Sequence, residues 1–211
     1  MTSREAILGE VRSALGRTAG QAPGPVPEAR IRIPEVAVEA RIERFFACLT
    51  KLAGKVHLAN SPAEAQNYVS ELIGGKPTVA SNASFLRKCG IAGLPSVRTG
   101  FTDLEALRAE CASADFGITS ADYALADTGT LVMIASPEEA RMVSLLPPVH
   151  VAVVPRERIL TGLDELFSVL PRPAEITSSM VLITGPSRTA DIEQILVRGV
   201  HGPGEIHVIV V

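Results

Sequence analysis

The stretch from Met180 to Val211 constrains the fold more than any other. An uninterrupted apolar run, Met180 to Ile183, stops at Thr184-Gly185-Pro186. The polar Ser187-Arg188-Thr189 follow, and then a helical pattern begins with Asp191 and Glu193 in its first turn. That pattern ends near Gly199, a second turn carries His201-Gly202-Pro203, and an apolar run from Ile206 to Val211 comes last. The order is strand, turn, helix, strand. Such a unit calls for a parallel sheet, because parallel neighbours need a crossover rather than a tight hairpin, and it leaves its polar residues at the carboxyl end of a strand. A functional site is expected there.

The same alternation runs through the rest of the chain. Thr2 and Glu5 stand at capping-box spacing, and Ile7, Leu8, Val11 and Leu15 recur at helical intervals, so residues 1–16 are predicted to form an N-terminal helix. Residues 17–34 carry Pro23, Pro25, Pro27 and Pro34 with Gly20 and Gly24, which cannot continue a helix and read as an extended linker. The helix ahead of it either packs on its own domain or docks on another subunit, which leaves a homo-oligomer open.

A compact α/β domain is predicted over residues 35–211. A helical face (Val38, Ile42, Phe45, Phe46, Leu49, Leu52) ends at Gly54, and a short strand, Lys55 to Ala59, follows. Ser61-Pro62 opens a helix that stops at Gly74-Gly75; Pro77 to Ala80 and Leu94 to Arg98 read as strands, and Asp103 opens another helix. With no Trp, six Phe and two Tyr among 46% hydrophobic residues, the core must be built of Val, Ile, Leu and Ala, as in parallel strands covered by helices. One α/β domain around an open sheet is the economical fold.

Several function classes are disfavoured at this point. A net charge of −3 offers no general attraction to nucleic acid or to an anionic membrane surface. Cys48, Cys89 and Cys111 lie far apart without C-x-x-C spacing, so neither a metal site nor an intrinsic iron–sulfur cluster is expected. No apolar run approaches membrane-spanning length, and Met1-Thr2-Ser3-Arg4-Glu5 lacks the apolar core of a signal peptide. A soluble cytoplasmic protein without membrane insertion is the expectation.

From Asp115 the sequence becomes rich in hydroxyls and carboxylates. Phe116 to Ile118 is predicted as a strand, Thr119-Ser120-Ala121-Asp122 as a helix start, and Asp127-Thr128-Gly129-Thr130 as the turn into a strand from Leu131 to Ala135. Capping and turn chemistry account for either cluster alone. As ligand-binding candidates the two supply Thr119, Asp122, Asp127, Thr128, Gly129 and Thr130. Ser136 to Glu139 reads as the opening of a short helix, Val149 to Val154 as a strand interrupted by His150, and residues 163–169 as a further helix.

In the closing unit, free N–H groups at a helix start near Thr189 would favour an anion by about 0.3–1 kcal/mol when exposed. Gly185, Ser187, Arg188 and Thr189 are therefore ligand-binding candidates, with Arg188 able to grip a carboxylate or phosphate in a bidentate fork. Asp191 and Glu193 compete for the same positive end, or serve as a general base, as a pair of metal ligands or as partners for Arg188. His201 is an acid–base candidate, and it equally caps the preceding helix. The catalytic candidates are thus Asp191, Glu193 and His201. Neither a P-loop nor a dinucleotide fingerprint is present, and no serine sits in a nucleophile elbow.

The runs Gly117-Ile118-Thr119, Ala121-Asp122, Ala126-Asp127-Thr128-Gly129-Thr130, Arg141 with Ser144-Leu145-Leu146-Pro147, His150, Gly185 to Glu193 and Gly199-Val200-His201-Gly202-Pro203 together resemble the LUD-domain family of lactate-utilisation proteins. The resemblance covers residues 35–211 and is densest from Phe116 onward. It implies a three-layer α/β/α fold around an open, mostly parallel sheet, of the NagB/RpiA/CoA-transferase type. By the same resemblance the function is that of a subunit in the oxidation of L-lactate to pyruvate, with iron–sulfur clusters carried on two partner proteins and none on this chain. A small anionic or nucleotide-like ligand is implied. The other reading, from the wider fold group, is a stand-alone enzyme such as a CoA transferase, a sugar-phosphate isomerase or a formyltetrahydrofolate cyclo-ligase.

Overall fold

The computed structural model describes residues 2–18, 20–22, 24, 33–189 and 197–211 of the 211-residue chain. Two compact units divide it, Met1–Arg32 and Ile33–Val211. The first contains α1 (Ser3–Ala14), opened by the capping box predicted for Thr2 and Glu5.

The second unit runs through α2 (Val38–Lys51), β1 (Lys55–Leu58), α3 (Pro62–Ile73), β2 (Thr78–Ala80), α4 (Ser84–Lys88), β3 (Val97–Arg98), α5 (Leu104–Ser113) and β4 (Phe116–Ser120). It continues with β5 (Tyr123–Leu125), β6 (Thr130–Ile134), α6 (Arg141–Leu145), β7 (Val149–Val154), β8 (Ile159–Leu160), α7 (Leu163–Val169) and α8 (Pro173–Ile176). The last elements are β9 (Met180–Ile183), β10 (Arg188–Thr189), β11 (Val197–Arg198) and β12 (Glu205–Val210). Among the described residues no helix is long and apolar enough to cross a membrane.

Six strands form the central sheet in the order β1-β12-β7-β4-β2-β3, parallel throughout. Its inner strands are apolar on both faces, as strands buried in the middle of three layers must be. On one face Ala65, Val69 and Ile73 of α3 and Leu86 of α4 pack against Ile118, Val151, Val153 and Ile209. On the other, Phe45 and Leu49 of α2 and Leu131 and Met133 of β6 pack against Ala152, Val154, Val208 and Val210. Beside them α5 and α6 meet Val79 through Leu107, Cys111 and Val143. The expected α/β fold with its parallel sheet is present, and its third layer contains a second sheet, ordered β8-β5-β6-β9.

Topology marks one place in the central sheet. From β2 the chain continues to the edge strand β3; from the neighbouring β4 it continues the other way, to β7. Adjacent strands whose connections diverge leave a crevice outside their carboxyl ends, where ligands of open α/β sheets bind.

Two sequence expectations need correction. The predicted helix after Thr119 does not form: β4 runs through Ser120, and β5 then pairs antiparallel with β6. Ala124 is buried in the core between the sheets and Leu125 in the cluster under α7. Only a strand turns consecutive side chains to opposite faces in this way, so packing overrides the helical preference of Ala-Leu-Ala. Nor does a helix begin at Thr189 or reach Gly199. Arg188–Thr189 and Val197–Arg198 are paired antiparallel strands, and the Gly199 N–H donates to the Ser187 carbonyl at 3.0 Å. Asp191 and Glu193 lie outside the described residues.

Two glycines fix the packing of the layers. A Cβ on Gly117 would stand 2.0 Å from the Val143 carbonyl oxygen, so α6 lies directly on β4. Gly129 turns the chain from β5 to β6 at φ +69, where a Cβ would stand 2.6 Å from the Leu49 nitrogen of α2. Since the obstacle at Gly117 is backbone, Gly117→Ala should lower stability by at least about 2 kcal/mol. Urea unfolding measures this, and an unchanged midpoint would contradict the close packing of α6 on β4.

Candidate functional site

The crevice between β2 and β4 holds a buried acid. Ser81 follows β2 and is 4% exposed; Ser120 ends β4; Glu139, 8% exposed, lies in the segment between β6 and α6. One carboxyl oxygen of Glu139, Oε1, accepts from the Ser81 hydroxyl at 2.7 Å and from the Ser120 N–H at 2.8 Å. The other, Oε2, is buried without a partner among the described residues. Ser136 shapes this segment, its hydroxyl oxygen accepting from the N–H groups of Glu138 and Glu139 at 3.2 and 3.1 Å. The Asn82 N–H donates to the Glu138 carbonyl at 2.8 Å, which ties the segment to the loop after β2.

Burial pushes the Glu139 carboxyl from an ordinary 4.5 up to about 8, against the two hydrogen bonds to Oε1 and with help from the negative charge of Asp122. At neutral pH Glu139 is therefore chiefly a neutral acid. Because Oε1 accepts both bonds, the proton belongs on Oε2, where it finds no acceptor among the described residues. Asp122 is also shifted upward by burial, opposed by the Ile134 N–H at 2.7 Å and by the Arg158 charge. Two carboxyl groups at one strand end thus resist ionisation for the same reason, removal from water.

Glu139 and Asp122 line a cleft of about 650 Å³ together with Arg87 and Lys88 of α4, Glu138, Glu157 and Arg158. Its volume suits a ligand much larger than a three-carbon acid. Arg158 is held over the Tyr123 ring, 5.1 Å from its centroid, and Arg87 donates to the Asn82 carbonyl at 2.5 Å. Cations set in place beside a protonated acid can bind an anionic group and exchange a proton with it.

Of the sequence candidates among the described residues, only Asp122 lines this cleft. Gly185, Ser187 and His201 come together around a second cavity of about 230 Å³, which they share with Thr184 and His150. Thr119 is joined to that group by a 2.8 Å hydrogen bond between its hydroxyl and His150 Nε2. The Thr130 hydroxyl bonds to those of Thr128 and Thr184, both at 2.8 Å, which links the central cluster to the C-terminal corner. Asp127 and Thr128 are exposed on the turn before β6; the Asp127 N–H donates to the Thr161 carbonyl at 3.1 Å. The Arg188 guanidinium donates to the Leu52 carbonyl at the end of α2, and Thr189 sits in β10. The N–H groups that the sequence reading offered to an anion follow Thr189, and residues 190–196 lie outside the described residues.

Sequence reasoning missed Glu139, Ser81, Ser120 and Arg158. Ser-Pro-Glu-Glu reads as an ordinary helix start, and nothing local says that its second glutamate is buried. Ser81 carried a usable signal, being the first polar residue after an apolar run.

The fold and the cleft at its diverging strands define an α/β protein with a ligand crevice at a topological switch point. Comparison with known proteins supplies the family. Residues 42–211 match the family model described as the LUD domain, and the chain belongs to that family. It is 33% identical to lactate utilization protein C of Bacillus licheniformis over 65% of this chain and 63% of that protein. With the protein of the same name from Anoxybacillus flavithermus it shares 32% identity over 71% of this chain and 70% of that protein. The match to the Halalkalibacterium halodurans protein of that name is 40% identical and spans 46% of its length. The chain therefore matches about half to two thirds of the length of these relatives. A crystal structure of a DUF162 family protein from Deinococcus radiodurans superposes with a TM-score of 0.65 at 20% identity, covering 83% of this chain and 99% of that one. That likeness concerns the fold.

The raised pKa of Glu139 has a definite effect on stability. Between pH 4.5 and about 8 folded Glu139 keeps a proton that the unfolded chain releases. Its contribution to stability should then fall as pH rises through that window, by up to about 1.4 kcal/mol per pH unit, and level off above it. Glu139→Gln should remove this decline. Urea midpoints of the two proteins at pH 5.5 and 8.5 check it, and parallel profiles would count against a buried neutral acid.

Proposed function

We propose that the chain serves as a subunit of an L-lactate utilisation system. In this reading it holds a small anionic or nucleotide-like ligand in the Glu139 cleft and exchanges a proton with it, while iron–sulfur partner proteins carry electrons. The observation that carries the reading is Glu139, a neutral acid at the switch point of a parallel sheet. The family supports the pathway, since relatives in three bacteria are called lactate utilization protein C. Oxidising L-lactate to pyruvate releases two electrons and two protons. Glu139 and Asp122 are suited to proton exchange, and the Arg87, Lys88 and Arg158 cations to holding an anion.

The cysteines support assigning the electrons to partners. Cys89 and Cys111 are buried, and burial raises both thiols, Cys111 to about 11 with help from the Glu110 charge. Such thiols stay protonated, whereas cluster ligands are thiolates. A net charge of −3 and the absence of a long apolar run in the sequence fit work in the cytoplasm, away from nucleic acid and membrane.

The cleft also fits a second reading, in which the chain acts alone on a phosphorylated or carboxylated metabolite. Its size and its buried acid are what favour that reading. Turnover of an acyl-CoA or folate substrate by the purified chain would select it. Under the first reading the purified chain is inactive alone and supports lactate-dependent dye reduction once two iron–sulfur proteins are added. Glu139→Gln should then slow the reconstituted reaction at least about 100-fold, the usual contribution of a positioned acid or base. Full activity in that variant would exclude Glu139 from the chemistry.

A further inference from the structure

The helices α5 and α6 turn only part of their apolar surface to the central sheet. On α5, Leu107 and Cys111, one turn apart, pack with Val143 of α6 against Val79 of β2. Leu104 and Arg108, likewise one turn apart, belong to a neighbouring stripe. On α6, Val143 and Ser144 are buried, and Met142, Leu145 and the following Leu146 are left to a second face. These two remainders line one open groove of about 550 Å³, with Ala135 and Ala140 adding to its apolar lining. Leu104 is 62% and Leu146 49% exposed, so much apolar surface meets water there. Ser136 and Glu139 form a wall common to this groove and the Glu139 cleft, and the rest of the two linings differs.

Two guanidiniums border the apolar surface. Arg108 and Arg141 both line the groove, and both are exposed. Among the described residues neither takes part in an ion pair, in contrast to Arg41, Arg98 and Arg172. The ionised carboxylate of the lining is Glu105, one against two, since Glu139 is kept neutral by burial and its Oε1 is taken by Ser81 and Ser120. The groove therefore sets a net positive charge on an apolar bed, which complements an organic anion. Its length decides against a docked helix. Leu104 to Arg108 and Arg141 to Leu146 give walls of about 6 to 8 Å along each axis, whereas a docked helix presents anchors from i to i+7, about 10 Å apart. The volume lies in the range of sites for small organic molecules.

We propose that the groove between α5 and α6 binds a compact organic anion, with an apolar body seated on Leu104, Met142, Leu145 and Leu146 and a carboxylate held by Arg108 and Arg141. A guanidinium matches a carboxylate with two parallel hydrogen bonds, and the apolar bed takes up a ring that water solvates poorly. The site stands apart from the proposed reading of the Glu139 cleft. That cleft draws its cations from Arg87, Lys88 and Arg158, none of which lines the groove, so the two readings fail by different variants.

The test compares 1-naphthylacetate with 1-naphthylacetamide, which has the same body and no charge. Titration of the full chain at pH 7 should show saturable one-to-one binding of the acetate, at least about tenfold tighter than the amide. Labelled with ¹³C-methyl methionine, the chain gives four methyl signals, from Met1, Met133, Met142 and Met180, and that of Met142 should move most. Leu146→Glu, at an exposed position where the fold is not at stake, should abolish binding. The double variant Arg108→Gln, Arg141→Gln should reduce the acetate to the affinity of the amide. Arg158→Gln, in the cleft, should leave both affinities unchanged. Absence of saturable binding, equal affinity for the two probes, a Met142 signal that stays still while the acetate binds, or loss of binding in Arg158→Gln rather than in Leu146→Glu would each overturn the proposal.

Discussion

Two strands that diverge in connection are held at their carboxyl ends by one side chain. Oε1 of Glu139 takes both the Ser81 hydroxyl after β2 and the Ser120 N–H at the end of β4. Without that oxygen, two donors at the base of a crevice would lack a protein partner, and unpaired buried donors cost about 1–3 kcal/mol each. The Asn82 N–H bond to Glu138 adds a backbone tie between the same two segments. The carboxyl that braces the crevice is also the acid that the crevice offers to a ligand. Structure and chemistry there cannot be varied independently.

The remaining layers explain why this acid is neutral. Behind β4, α6 lies close because Gly117 has no side chain, and the central sheet is covered on both faces. Asp122 lies beside the acid because β5 departs from β4 directly rather than after a helix. Its carboxylate accepts from the Ile134 N–H and so extends the pairing of β5 with β6. The low-dielectric surroundings that raise Asp122 raise Glu139 too, and the negative charge of Asp122 adds to the rise at Glu139. Arg158, steadied by Tyr123, limits the cost for Asp122.

Much of the fold was legible in the sequence because it rests on local rules. Capping at Thr2, Ser61 and Asp103, stops at Gly54 and Gly74, and the apolar runs of β7 and β12 are read from neighbours a few residues apart. Errors arose where a distant partner decides. Ala124 to Ala126 carries helical preference, yet pairing with β6 makes its first two residues strand. Thr189 follows an anion-friendly turn, yet its partner is Val197 in a strand. The candidate site was legible in part. Asp122 was found through its carboxylate, and Gly185, Ser187 and His201 do share a cavity. Glu139 was hidden because its chemistry comes from burial by strands brought together only in the folded chain.

The central claim, a neutral buried acid at the switch point, can be observed directly. Isotope-edited infrared difference spectra of the wild-type chain and Glu139→Gln at pH 7 should show a protonated carboxyl C=O stretch that is lost in the variant. Its amplitude should titrate with a midpoint near 8. A Glu139 signal that is fully carboxylate at pH 7, titrating near 4.5, would contradict the account.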